Sequence, residues 1–147
     1  TVTAVPTVSR SELHRMHLGN FTDFQSFPHV VLLSGSSDEF SSLRDHICML
    51  APDAALAIHE LEGVTPVRGT TLTVRLSRRE RITRCGPAGF EWEMTLDALE
   101  ESLAKIASLS TQCHACHQYF DCHPADDAVV MMAVGEFDAA WWRRVGG

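Results

Sequence analysis

The sequence predicts an α+β fold, a mainly antiparallel sheet with two principal helices packed on it. Three observations carry that expectation. Leu72, Val74 and Leu76 alternate with Thr71, Thr73, Arg75 and Ser77, the period of a half-buried strand. Phe90, Trp92 and Met94 alternate in the same way with Glu91 and Glu93. Leu96, Leu99, Leu103, Ile106 and Leu109 then form one apolar stripe at helical spacing. Strands grouped between two helical patterns favour a sheet with helices on one face. The chain has 147 residues, the length of a single domain over 1–147.

The elements follow in order. Residues 1–28 read as irregular, with a short helix near Ser11 to His17. His29 to Leu33, bounded by Ser34-Gly35, reads as a buried strand. Ser36 and Glu39 have capping-box spacing, and Phe40, Leu43, Ile47 and Leu50 continue as a helix that Pro52 ends. Ala55 to Leu61 reads as a strand and Gly63 to Gly69 as a connection. Arg81 to Cys85 and Phe90 to Met94 flank Gly86-Pro87-Ala88-Gly89, which predicts a hairpin. Thr95 can cap the helix that follows, with Asp97 in its first turn. A polar segment runs from Ser110 to Asp127. Ala128 to Val134 then reads as a buried strand and Phe137 to Arg144 as a short terminal helix.

The formal net charge is −7 and it is unevenly placed. Residues 1–84 hold nine acids and nine Lys/Arg, whereas residues 85–147 hold ten acids against Lys105, Arg143 and Arg144. An acidic domain repels nucleic acid and anionic membranes and attracts basic partners. The longest apolar run, Ala128 to Val134, is far below the ~20 residues that span a bilayer. No leader pattern is visible at the N-terminus, so a cytoplasmic location is expected. The stretch Arg75, Arg78, Arg79, Arg81 and Arg84 lacks the interleaved aromatics of a nucleic-acid surface, and nearby acids are expected to balance it.

Cys113, His114, Cys116, His117, Cys122 and His123 crowd into eleven residues. Cys113, Cys116, Cys122 and His123 are the candidate set for a zinc ion, although adjacent Cys122 and His123 would have to point at one metal. Cys113-His114-Ala115-Cys116-His117 also matches the five-residue haem attachment pattern, which sits poorly with a chain rich in strands. A redox pair of Cys113 and Cys116 lacks the strand before it and the helix after it. The remaining alternative is a loop of reduced, partly buried cysteines among ordinary polar histidines. No cofactor is expected. The chain has no Gly-rich phosphate loop, no G-x-S-x-G and no H-E-x-x-H, so no catalytic role is assigned to any residue. Ser34-Gly35-Ser36 is placed to bind an anion at a helix start, but Asp38 and Glu39 oppose that and the residues serve equally as turn and cap.

The last thirty residues carry a resemblance. His117-Gln118-Tyr119-Phe120-Asp121 leads through Asp126-Asp127 and the strand Ala128 to Val134 to Gly135-Glu136-Phe137-Asp138 and Trp141. This resembles the C-terminal pattern of small bacterial immunity proteins encoded beside polymorphic or contact-dependent toxins, over about a fifth of the chain. The resemblance implies a non-catalytic cytoplasmic protein that neutralises a cognate toxin by occluding a basic active-site surface. With the acidic bias it points to Glu91, Glu93, Glu100, Glu101, Asp126, Asp127, Glu136 and Asp138 as partner-binding residues. Trp141 and Trp142 join them, as an exposed indole anchors many interfaces, although core packing of both is the alternative. The competing function is a zinc-binding structural or regulatory protein that uses the Cys/His loop 113–123.

Overall fold

The computed structural model describes residues 15–24, 27–112, 114–120 and 126–146. The elements run β1 (Met16–Phe24), β2 (Phe27–Gly35), α1 (Ser37–Cys48), β3 (Ala55–Ala57), a 3₁₀ turn (Ile58–Glu60), β4 (Val64–Pro66), β5 (Thr71–Leu76), β6 (Arg81–Arg84), β7 (Gly89–Met94), α2 (Leu96–Ser110), β8 (Cys116–Phe120), β9 (Val129–Val134) and α3 (Ala139–Gly146). They build two sheets, one ordered β4-β1-β2-β9-β8 and the other β3-β5-β7-β6.

The fold is α+β, but the sheets are mixed where a mainly antiparallel sheet was expected. β2 and β9 pair in parallel at the centre of the larger sheet, and β5 and β7 pair in parallel in the smaller one. The reason lies in the chain path. The β6/β7 hairpin forms as the glycines predict, with Gly86 at φ +96 in its turn. β6 takes the edge and the return strand β7 slots in beside β5, so Thr71 to Ser77 and Phe90 to Met94 share a sheet while running the same way.

β2 and β9 are buried on both faces, as a parallel central pair requires. Val31, Leu33, Val130, Met132 and Val134 point to the larger core, with Phe40, Leu43 and Ile47 of α1 and Leu99, Ile106 and Leu109 of α2. Leu72, Val74, Phe90, Trp92 and Met94 of the smaller sheet close the same core. Val30, Leu32, Val129, Met131 and Ala133 point the other way, to a second cluster that includes Trp142 of α3. The helices therefore lie on both faces of the larger sheet rather than on one, because the continuous apolar run of β9 leaves neither face fit for water. Burying each such side chain contributes roughly 1.5–3 kcal/mol.

Local expectations fare unevenly. Ser36 caps α1, its hydroxyl accepting from the Glu39 N–H at 3.3 Å and donating to Glu39 Oε1 at 3.1 Å. Thr95 caps α2 by accepting from the Ala98 N–H at 3.2 Å. The α2 stripe loses its first member, since Leu96 is 63% exposed and burial begins at Ala98 and Leu99. Ala55 to Leu61 is only partly a strand. After Ala57 the chain tightens into the 3₁₀ turn, and the His59 imidazole accepts from the Leu72 N–H at 3.2 Å. The expected connection Gly63 to Gly69 contains β4, which pairs in parallel with β1. Residues 11–14 of the expected first helix lie outside the described residues, and Met16 and His17 open β1 instead.

Gly19 on β1 sets how closely α3 can approach. A Cβ there would stand 2.7 Å from Cζ3 of Trp142. Gly19→Val should therefore overpack this contact and lower stability by about 1–3 kcal/mol. Urea unfolding should show a lower midpoint at an unchanged slope.

Candidate functional site

The acids named from the sequence do not form one surface. Glu91 and Glu93 lie on the outer face of the smaller sheet, where Arg75 Nε stands 3.0 Å from Glu91 and Arg79 pairs with Glu93. The acidic and basic runs of the sequence thus neutralise each other across neighbouring strands. Asp126 Oδ1 accepts from the Ile82 N–H at 3.0 Å, and Asp127 Oδ2 accepts from the Arg84 N–H at 2.9 Å. Both cover the open edge of β6, a site that unprotected would invite strand pairing. Glu136 Oε1 lies 2.7 Å from Nδ1 of His117, tying β8 to the turn after β9. Asp138 caps α3 by accepting from the Trp141 N–H at 2.8 Å. Glu100 and Glu101 stay exposed on α2.

Cys113, Cys122 and His123 of the zinc candidates lie outside the described residues. Cys116 opens β8 and packs against the larger core. Burial pushes its thiol pKa up, and the nearby Glu136 carboxylate adds to this, so the thiol stays protonated at neutral pH. Among the described residues no three His, Cys, Asp or Glu side chains are grouped to hold a metal ion. The stretch read as a polar loop is in part the edge strand β8, and Lys105 Nζ donates to the outward Tyr119 carbonyl at 2.9 Å.

Two surfaces stand out, and both involve α3. The first is aromatic. Trp142 is buried, whereas Trp141 remains partly exposed. Trp141 meets Phe137 at 4.5 Å between ring centroids, Phe21 at 5.4 Å and Phe24 at 6.3 Å. Phe27 and Tyr119 form a further pair, 5.2 Å from each other, against the same cluster. All these rings except Trp142 keep part of their surface in water. The sequence reading picked out the tryptophans but missed Phe21, Phe24 and Phe27. They fall in a stretch with no clean apolar alternation, because Asn20 and Thr22 interrupt it.

The second surface is a groove of about 1010 Å³ at the ends of the parallel strands β2 and β9, where α1 and α3 begin. Arg15, His17, Thr65 and Arg143 line it opposite Ser36, Ser37 and Glu39, with Gln112, His114 and Asp138 also in its wall. Open sheets commonly bind ligands in the crevice outside the carboxyl ends of parallel strands. The Ser34-Gly35-Ser36 turn does sit there, but its groups are engaged. Ser34 donates to the Phe137 carbonyl at 3.2 Å and Ser36 caps α1. His17 stacks on Trp142 with ring centroids 5.1 Å apart. Burial depresses its pKa below the ordinary histidine value, and the Arg15 charge depresses it further.

No known protein family, characterised protein or solved structure matches this chain.

The depressed His17 pKa has a definite linkage consequence. The unfolded chain binds a proton at this residue more readily than the folded one. The stability that neutral His17 contributes is complete above about pH 6.5 and is lost as pH falls through its lower folded value. His17→Gln should therefore lose less stability than the unmodified protein between about pH 7 and pH 5. Urea midpoints measured across that range test this, and parallel pH curves for the two proteins would refute it.

Proposed function

We propose that this chain is a non-catalytic binding protein that neutralises a cognate bacterial toxin, with the aromatic surface around Trp141 as the centre of the interface. The observation that carries this reading is the set of partly exposed rings that pack against the second cluster, Phe21, Phe24, Phe27, Tyr119, Phe137 and Trp141. Aromatic side chains are enriched at the cores of protein interfaces, where they exclude water and supply most of the affinity. None of these rings is fully exposed, but six half-wet rings on one side of the larger sheet offer a surface that a partner can cover. The C-terminal resemblance to immunity proteins supports the choice of partner. So does the −7 net charge, which favours a basic protein.

Acids on this chain contribute in two ways. Glu136 and Asp138 flank the aromatic surface but are held by His117 and the α3 N-terminus. Glu100 and Glu101 are exposed and add to the long-range field that speeds encounter with a cationic partner. Occlusion of a basic active site would then rest on aromatic packing for its lifetime and on charge for its rate.

The test uses the product of the neighbouring gene and this chain in full. Trp141→Ala should weaken the complex by about tenfold to a hundredfold at a smaller stability cost than Trp142→Ala, leaving the chain folded at the temperature of the binding measurement. Trp142→Ala should instead cost about 3–5 kcal/mol of stability, because that indole is buried. Reversing Glu100 and Glu101 to Lys should slow association, with a loss that shrinks as salt rises. A neighbouring product that neither binds this chain nor harms cells lacking it would overturn the reading.

A further inference from the structure

The cationic wall of the groove has no part in the reading above. Alternation along the chain puts Arg15 and His17 on one face of β1, the face that α3 covers. The His17 ring stacks on Trp142 there, and Arg143 follows it into the same groove. Arg15 Nη1 donates to Thr65 Oγ1 of β4 at 3.4 Å. Neither Arg15 nor Arg143 has a carboxylate within ion-pair distance among the described residues. Arg75 and Arg79 differ, since both pair with glutamates, although Arg81 and Arg84 of β6 have no carboxylate at that distance among the described residues. Two carboxylates also line the groove, and each accepts from a neutral donor. Glu39 takes the Ser36 hydroxyl and Asp138 takes the Trp141 N–H. One concavity thus holds two guanidinium groups without an ion-pair partner among the described residues, together with the His17 imidazole.

We propose that this groove binds a small ligand through an oxyanion headgroup, a phosphate or a carboxylate, gripped by Arg15 and Arg143 with His17 as a third donor. A guanidinium fork matches the paired oxygens of either group. The volume of about 1010 Å³ lies at the upper end of small-molecule sites, so the groove also has room for the body of the ligand. Ser37, Thr65 and Gln112 offer further donors along its wall. Bound anion charge favours the protonated imidazole. His17 then binds a proton as the ligand enters, against the opposing influence of Arg15 and Arg143 and with that of Glu39 and Asp138.

The experiment is an NMR titration of the whole chain with inorganic phosphate and, separately, with succinate, read at the His17 ring. Saturable shifts are expected with a dissociation constant on the order of 1 mM, together with a rise in the His17 pKa. Tighter binding of phosphate assigns a phosphate headgroup, and tighter binding of succinate assigns a carboxylate. The double variant Arg15→Ala/Arg143→Ala should weaken binding at least about tenfold, while Arg144→Ala, outside the groove, should change it by less than about twofold. All three arginines are exposed, so the variants keep the fold, which thermal melts verify. No saturable shift at His17 with either anion up to about 20 mM would overturn the proposal. Equal weakening by Arg144→Ala would do the same, since it would reduce the effect to general surface charge.

Discussion

The rest of the structure depends on burying the β2/β9 pair on both faces. Two adjacent parallel strands with apolar side chains above and below cannot border water on either side. One face meets α1, α2 and the smaller sheet, and the other must be closed by whatever chain remains. Among the described residues the helix on that face is α3, which has eight residues. A helix of two turns brings little area by itself, so it docks through one large indole into the space that Gly19 leaves open.

That limited coverage explains the aromatic surface. α3 shields Val30, Leu32 and Met131 only with the help of Phe21, Phe24, Phe27, Phe137 and Tyr119 from the surrounding segments. Rings used as a lid are packed on their inner side and wet on their outer side. The same geometry that completes the fold therefore leaves these rings half in water, and the binding function we propose draws on that structural necessity. The tilted ring pairs, with Trp141 and Trp142 edge to face at 5.1 Å, hold the lid in one arrangement rather than as a fluid cluster.

What the sequence made legible was local. Strand alternation in Thr71 to Ser77, the unbroken apolar run after Asp127, the Ser36 and Thr95 caps and the glycine-flanked hairpin all depend on neighbours within a few residues, and each appears in the structure. The direction of β5 against β7 and of β2 against β9 depends on how distant segments stack, which periodicity does not encode. β1 was missed because Gly19, Asn20 and Thr22 break its pattern. Gly19 is there to admit Trp142, more than a hundred residues away, and Asn20 donates to Thr70 at 2.8 Å. β8 was hidden by the polar letters of an edge strand, His117 and Gln118. The groove was illegible for the same reason, since Arg15, Thr65 and Arg143 come from three separate stretches.

Charge shows most plainly why composition misleads about sites. Ten acids in the second half suggested one electronegative face, yet most of the named ones serve short-range needs. Glu91 and Glu93 answer arginines on the neighbouring structure, Asp126 and Asp127 satisfy the β6 edge, and Asp138 caps a helix. A carboxylate that faces a guanidinium presents little field of its own a Debye length away, whereas one that accepts a backbone N–H keeps its charge but is held in place. Unequal pairing, not unequal count, decides where potential survives. Arg15 and Arg143 in the groove and Glu100 and Glu101 on α2 are among the charges without an ion-pair partner among the described residues. These arginines and these glutamates lie on different elements, so the anionic ligand and the basic protein partner that we propose would make separate electrostatic demands on this chain.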